Sequence, residues 1–296
     1  MAPVRFIATT KELTSVLAAF DNLLTSPPSL YIDLEGAKLS RNGTVSLLTL
    51  YVVPQDTVYI IDIHNLGTTA FSTPATSTTT ITPVVATTLT KSAESVSEAK
   101  PEEALTLKAL LESSTIPKVF FDVRNDSDAL FAHFNVRLSY IHDLQLMELA
   151  TTTRSSRDYL IGLSACITYN THRLSLTPTQ VYAWNATKDG GCQLFAPEHG
   201  GSYDVFDERP LKPLIQEYCV QDVVHMPELR KLYEERMKKG SFWHVMAREG
   251  AEKRVSERQE EGYRSEGQHK RYGCWSVAQV KEARKRWDGG VRSGLC

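Results

Sequence analysis

Short alternating runs and helical periodicities succeed one another along the chain. Val4–Ala8 reads as a short strand. Thr9 followed by Glu12 has capping-box spacing and opens a helix with Leu13, Val16, Leu17 and Phe20 on one face. Ser29–Glu35 reads as a strand, Arg41-Asn42-Gly43 as a turn, and Val45–Val53 and Val58–Ile63 as strands either side of the Pro54-Gln55-Asp56 turn. Three strands joined by such short turns predict an antiparallel beginning to a sheet. From Pro101 the pattern changes to a helix at Glu102–Leu111, a strand at Lys118–Phe121, a helix at Ser127–Phe134 and a short strand at Leu138–Ile141. Strands alternating with helices predict parallel additions to the same sheet. Residues 144–170 look largely helical, and 185–205, Gly-rich and polar, read as a loop. Leu211–Met237 is helical in pattern, but Pro227 would remove the hydrogen bond to the Val223 carbonyl, which predicts a kink or break. The sum is an α/β domain with a mixed sheet.

Composition bounds this picture. The chain has 296 residues, of which 42% are hydrophobic and 23% charged, enough apolar material for a sizeable core. Lys+Arg number 33 and Asp+Glu 35, which excludes a polycation that binds through charge alone. No apolar run approaches the length of a membrane span, and Met-Ala-Pro-Val-Arg-Phe lacks the apolar stretch of a secretory signal. The five cysteines, Cys166, Cys192, Cys219, Cys274 and Cys296, form no CxxC pair; a reducing intracellular compartment, cytoplasm or nucleus, fits them.

Two segments depart from the rest. Residues 68–100 hold 16 Ser or Thr among 33 positions and a single aromatic, too little apolar area to offset ordering, so they read as a disordered insertion. The expected organisation is therefore a domain over 1–67 and 101–237, this insertion, and a C-terminal extension over 238–296. Residues 241–296 carry a net charge of +4, against −6 for the remainder, and include Phe242, Trp243, Tyr263, Tyr272, Trp275 and Trp287. Basic residues among aromatics suit a nucleic-acid contact. A partly helical tail packing its aromatics onto the domain explains them as well, and is the reading we put first. Either segment could recruit a protein partner.

The chemistry is carried by acidic residues. In Tyr31-Ile32-Asp33-Leu34-Glu35-Gly36 the strand period puts Asp33 and Glu35 on one face and Leu34 on the other. Two carboxylates side by side at the end of an apolar strand repel each other, and a hard cation such as Mg²⁺ or Mn²⁺ relieves this; a solvated strand end does so too. A second acidic group, Asp122, Asp126 and Asp128, follows the strand at Val119–Phe121, where helix capping accounts for at least one member. In a third, Tyr218 and Asp222 share a helical face, where they could simply bond each other. Other chemistries find no footing: there is no HxxxH or HExxH pair, no Walker-type glycine loop, and no nucleophile-elbow context for Ser164 or Cys166.

Taken in order, D-x-E on a strand, an aspartate after a later strand and Y-x-x-x-D on a late helix resemble the DEDDy branch of the 3′–5′ exonucleases, the ribonuclease D type, within the ribonuclease H-like fold. Phe134 to Leu138 followed by His142-Asp143-Leu144 resembles the family's strand and Asp-Leu after the second motif. Phe206-Asp207-Glu208-Arg209-Pro210-Leu211 resembles its W-x-x-R-P-L entry to the last helix, with Phe for Trp. The resemblance covers about residues 4–237. It implies a mixed sheet with helices on both faces, two Mg²⁺ or Mn²⁺ ions, and phosphodiester hydrolysis from the 3′ end of single-stranded RNA or DNA, releasing nucleoside 5′-monophosphates. It makes Asp33 a ligand bridging both ions, Glu35 and Asp222 ligands of the first, Asp126 a ligand of the second, and Tyr218 the residue that orients water. Asp126 is chosen by its distances to Phe134 and Asp143; Asp122 and Asp128 are the alternatives. Glu217 stands where the other branch has histidine. Leu34 and Gly36 border the site as substrate-binding candidates, Gly36 serving equally as a permissive turn position. The departures, Phe206, the 68–100 insertion and the irregular 185–205 loop, keep a weakly active or inactive nucleic-acid-binding or adaptor module as the alternative function.

Overall fold

The structure is a computed structural model that describes residues 2–20, 23, 25–76, 104–154, 156–238, 240–260, 262–265 and 267–290. Six strands form one mixed sheet: β1 Val4–Ile7, β2 Leu30–Glu35, β3 Leu47–Val52, β4 Thr57–Asp62, β5 Lys118–Phe120 and β6 Ile141–Asp143, in the order β1-β4-β3-β2-β5-β6. β2, β3 and β4 pair antiparallel, as the short turns require. β1 is not part of that meander. It reaches the sheet through helix α1 (Thr10–Ala18) and lies parallel beside β4. β5 and β6 add in parallel on the far side of β2.

Alternation in β2 divides the molecule. Leu30, Ile32 and Leu34 enter one core with Leu13, Val16 and Leu17 of α1, whose N-terminus is closed by the Thr9–Glu12 capping box. Tyr31 faces the other way, into a second core built largely by helices from the C-terminal half. Helices therefore cover both faces, because both sides of the central strand are apolar. The short helices α2 (Ile63–Leu66) and α3 (Thr69–Ser72), with α4 (Leu107–Glu112) and α5 (Arg124–Phe134), line the first core. The second is lined by α6 (Leu144–Thr151), α7 (Leu163–Asn170), α8 (Pro178–Phe195), α9 (Pro213–Val224), α10 (Met226–Met237), α11 (Phe242–Glu257) and α12 (Val277–Asp288).

Several boundaries differ from the sequence reading. Residues 69–76, placed in the Ser/Thr-rich insertion, are ordered: Ala70 and Phe71 are buried, the Phe71 ring meets Phe134 at 4.4 Å, and Pro74 bridges to Thr106. Residues 77–100 of that segment, and 101–103 after it, lie outside the described residues. The helix expected from Glu102 starts at Leu107, where the Thr106 side chain accepts from the Ala109 N–H. The strand expected at Leu138–Ile141 lies at Ile141–Asp143, and 144–170 splits into α6 and α7 around an irregular stretch. The largest departure is at 185–205. Residues 185–195 belong to α8, capped at Thr177 by a second capping box with Pro178 in its first turn. Gly190 and Gly191 are helical, and their missing side chains serve packing: a Cβ on Gly191 would stand 2.4 Å from Cδ2 of Tyr218. At Pro227 the expected break occurs, with α9 ending at Val224 and α10 starting at Met226.

The basic C-terminal residues pack on the domain. Phe242, Met246, Ala247 and Ala251 of α11 and Trp275 join the second core, and Val255 reaches the first. Among the described residues no helix is long and apolar enough to cross a membrane.

Candidate active site

β2 and β5 are parallel neighbours, so their carboxyl ends, and the start of α5, lie at the same edge of the sheet. This is where open α/β sheets bind ligands. Asp33 and Glu35 occupy the last turn of the pleat on the face crossed by α9. There, i,i+4 spacing brings Tyr218 and Asp222 down onto them, while Glu217 points to solvent. Carboxylate oxygens of Asp33, Glu35 and Asp222 lie within 4.8 Å of one another. α9 is fixed at its entry by Arg209, whose guanidinium grips the buried Asp62 carboxylate at the end of β4 with two bonds of 2.5 and 2.6 Å. Phe206 is fully buried against Phe195.

Asp126 approaches from the first turn of α5. Its charge acts on both Asp33 and Glu35, and its Oδ1 is buried without a partner. The two neighbouring aspartates are committed elsewhere. Asp128 accepts from the Arg41 N–H and side chain, both at 2.7 Å. Asp122 is held by Arg124 at 2.5 and 2.6 Å and faces Arg254 at 3.4 Å. Leu34 borders the site only through its backbone, since its side chain is buried in the first core on the opposite face. Gly36 offers the site no room either: a Cβ there would meet the Thr44 carbonyl at 2.1 Å, so the glycine serves close approach of two backbone segments.

Electrostatically the cluster is strained. Burial, then repulsion from Asp222, push both Asp33 and Glu35 well above the usual carboxylate range. Burial raises Asp126 to about 8, although the backbone N–H groups of Asp126 and Leu34 favour its charged form. Asp222 is raised by burial against the pull of Lys188. Tyr218 is raised by burial and by the Asp222, Glu35 and Asp33 charges, which keeps its phenol protonated.

Lys188 is hidden in the sequence because the Gly-rich, polar stretch that holds it has the pattern of a loop. It is buried, pairs with Asp222, and holds its ammonium 3.6 Å from the centre of the Tyr218 ring. The signal that could have found it is Thr177-Pro178-Thr179-Gln180, a helix start of the same kind as Thr9–Glu12.

A further network holds the Asp126 turn in place. Asp122 takes a left-handed φ of 61°, and the N–H groups of Asp122 and Val123 donate to the buried Asp143 carboxylate at 3.1 and 3.2 Å. Arg254 of α11 pairs with that carboxylate at 2.7 Å and donates to Gln145 Oε1 at 3.0 Å. The His-Asp-Leu motif thus connects α11 to the start of α5.

The donor set suits a hard divalent cation. It is all oxygen and clustered, and two of its buried oxygens, Asp222 Oδ2 and Asp126 Oδ1, lack partners. Among solved structures, the chain resembles Trypanosoma brucei RNase D in complex with RNA U12. The TM-score is 0.63 at 16% identity, over 95% of this chain and 79% of that one. T. brucei RNase D determined separately gives 0.58 at 18% identity over 88% and 73%. Escherichia coli RNase D, an exoribonuclease involved in structured RNA processing, gives 0.50 at 16% identity over 87% and 51%. At these identities the likeness establishes the fold alone, a ribonuclease H-like mixed sheet. No curated protein matches the chain in sequence. The profile of a family described as 3′-5′ exonuclease matches residues 4–232, well over half of the chain, and with it the chain belongs to the 3′-5′ exonuclease domain family.

Proposed function

We propose that the protein is a DEDDy-type 3′–5′ exonuclease that removes nucleoside 5′-monophosphates from the 3′ end of single-stranded nucleic acid. The observation that carries this reading is the convergence of Asp33, Glu35 and Asp222, from a strand and a helix far apart in sequence, beside Asp126, whose Oδ1 is buried without a partner. Asp33, Glu35, Asp126 and Asp222 would hold two Mg²⁺ or Mn²⁺ ions. Bound there, the cations supply a lowered pKa for the attacking water and positive charge beside the leaving 3′-oxygen. The protonated Tyr218 phenol can bond that water and fix its direction. Its ring is kept in place by Gly191, which leaves it room, and by Phe195, whose ring meets it edge-on at 5.2 Å.

A module that only binds nucleic acid has no use for four clustered carboxylates, which repel a phosphate backbone unless cations reverse the local sign. That favours hydrolysis over the binding-only alternative. RNA is the first substrate to test, since it is what the trypanosomal neighbour is seen with. The test is release of nucleoside 5′-monophosphate from single-stranded RNA and DNA by the purified full chain. Release should stop with EDTA and return with added Mn²⁺, and Asp33→Asn should lower it by about 10³-fold or more. Release that persists undiminished in Asp33→Asn would sink the assignment.

A further inference from the structure

One feature of the C-terminal segment has no part in the chemistry described above. Tyr159 and Tyr272 are 58% and 50% exposed, yet they are not loose. They form an antiparallel bridge, flanked by Leu160 N–H to Arg271 O at 3.0 Å and Gly273 N–H to Asp158 O at 2.8 Å. Gly273 is required there, because a Cβ would stand 2.0 Å from the Arg157 carbonyl. The two rings sit 5.4 Å apart at 36°, giving a tilted aromatic platform open to solvent. Lys270, two residues earlier, ties it to the site. Its carbonyl accepts from Arg124 at 2.9 Å and its ammonium bonds Asn125, and these two residues immediately precede Asp126. The segments 156–160 and 268–273 carry Arg157, Lys270 and Arg271 against a single carboxylate, Asp158.

We propose that the Tyr159–Tyr272 pair, with Lys270 and Arg271 beside it, is a stacking subsite for the part of a single-stranded nucleic acid lying 5′ to the scissile bond. Rings already held by backbone bonds lose little freedom when a base stacks on them, and every base offers a π-face. The exposed Arg271 matches a phosphate, while Lys270, its ammonium bonded to Asn125 and to the Ser265 carbonyl, fixes the platform against the turn that carries Asp126. The inference rests on the exonuclease reading for its strand polarity, because an enzyme that takes the 3′ terminal nucleotide must leave the remaining chain on the 5′ side.

The test is fluorescence anisotropy with the full chain carrying Asp33→Asn, using a single-stranded decamer and a dinucleotide. Replacing both tyrosines by leucine should weaken decamer binding about tenfold while changing the dinucleotide by less than about twofold, and tryptophan at both positions should restore the decamer. An unchanged decamer affinity, equal loss for both ligands, or a folded tryptophan variant that does not recover would overturn the proposal; the last two indicate a structural staple. An unsubstituted chain that cuts no strand, beside decamer affinity lost with the leucine pair, would refute the exonuclease reading and leave the platform standing.

Discussion

Asp122, Asp126 and Asp128 lie within one stretch of chain, and their partners separate them. Asp128 is paired with Arg41 and Asp122 with Arg124, whereas Asp126 keeps a buried oxygen free. Asp126→Asn should therefore abolish cleavage while leaving the metal-free fold as stable as before, or more so. Asp128→Asn should instead lower stability by about 3 kcal/mol, because it strips a buried partner from Arg41. Urea melts beside a cleavage assay distinguish the two. Lys188→Met should destabilise the metal-free chain by about 1–3 kcal/mol, since Asp222 loses its counter-charge, and saturating Mn²⁺ should erase most of that difference. Alternation and i,i+4 spacing made the shared faces of Asp33 with Glu35 and of Tyr218 with Asp222 legible in the sequence; Asp126 was singled out only by the family resemblance. Lys188 was not legible, because its place depends on how α8 packs against α9. The roles expected of Leu34 and Gly36 ran into the same limit: a position next to a motif does not say which core or which backbone the residue meets.

At the level of elements, two packing devices hold the site. α8 approaches α9 closely at Gly191, and Gly191→Ala would drive a methyl into the Tyr218 ring. Helix propensity favours alanine by about 1 kcal/mol, but overpacking costs about 1–3 kcal/mol, so the variant should be no more stable. Its displaced phenol should cut kcat by about tenfold or more with little change in KM. The second device is Arg254 on α11. Arg254→Met removes the buried partner of Asp143 and should lower unfolding stability by about 3–5 kcal/mol, read from the urea midpoint. The antiparallel meander and the parallel additions were readable from turn chemistry and apolar runs, but the strand order, with β1 beside β4, was not. The α8 error arose because glycine and polar residues mark a loop in isolation, whereas here they make a helix surface that packs closely against its neighbour. The buried Arg254 was unreadable for a related reason: a cation on a basic helix looks solvated until its acidic partners are placed.

Across the whole molecule, the raised carboxylates set a pH dependence. Their folded-state values lie above the unfolded value of about 4, so the folded chain holds protons more tightly. Their contribution to stability is full below about pH 4 and is lost as pH rises, for Asp126 through about 8. The melting temperature of the metal-free protein should thus fall between about pH 5 and about pH 8, and Mn²⁺ should reverse the fall at the upper end while releasing protons on binding. An opposite slope would mean that the four carboxylates do not share one buried site.

Cleavage polarity is the most direct measurement. A 5′-labelled single strand is incubated with the full chain and Mn²⁺, beside Asp222→Asn, and followed over time. The account predicts a ladder of labelled products shortening one nucleotide at a time, absent with Asp222→Asn. Label released at once as a mononucleotide, internal cuts, or an equal ladder from both proteins would contradict it.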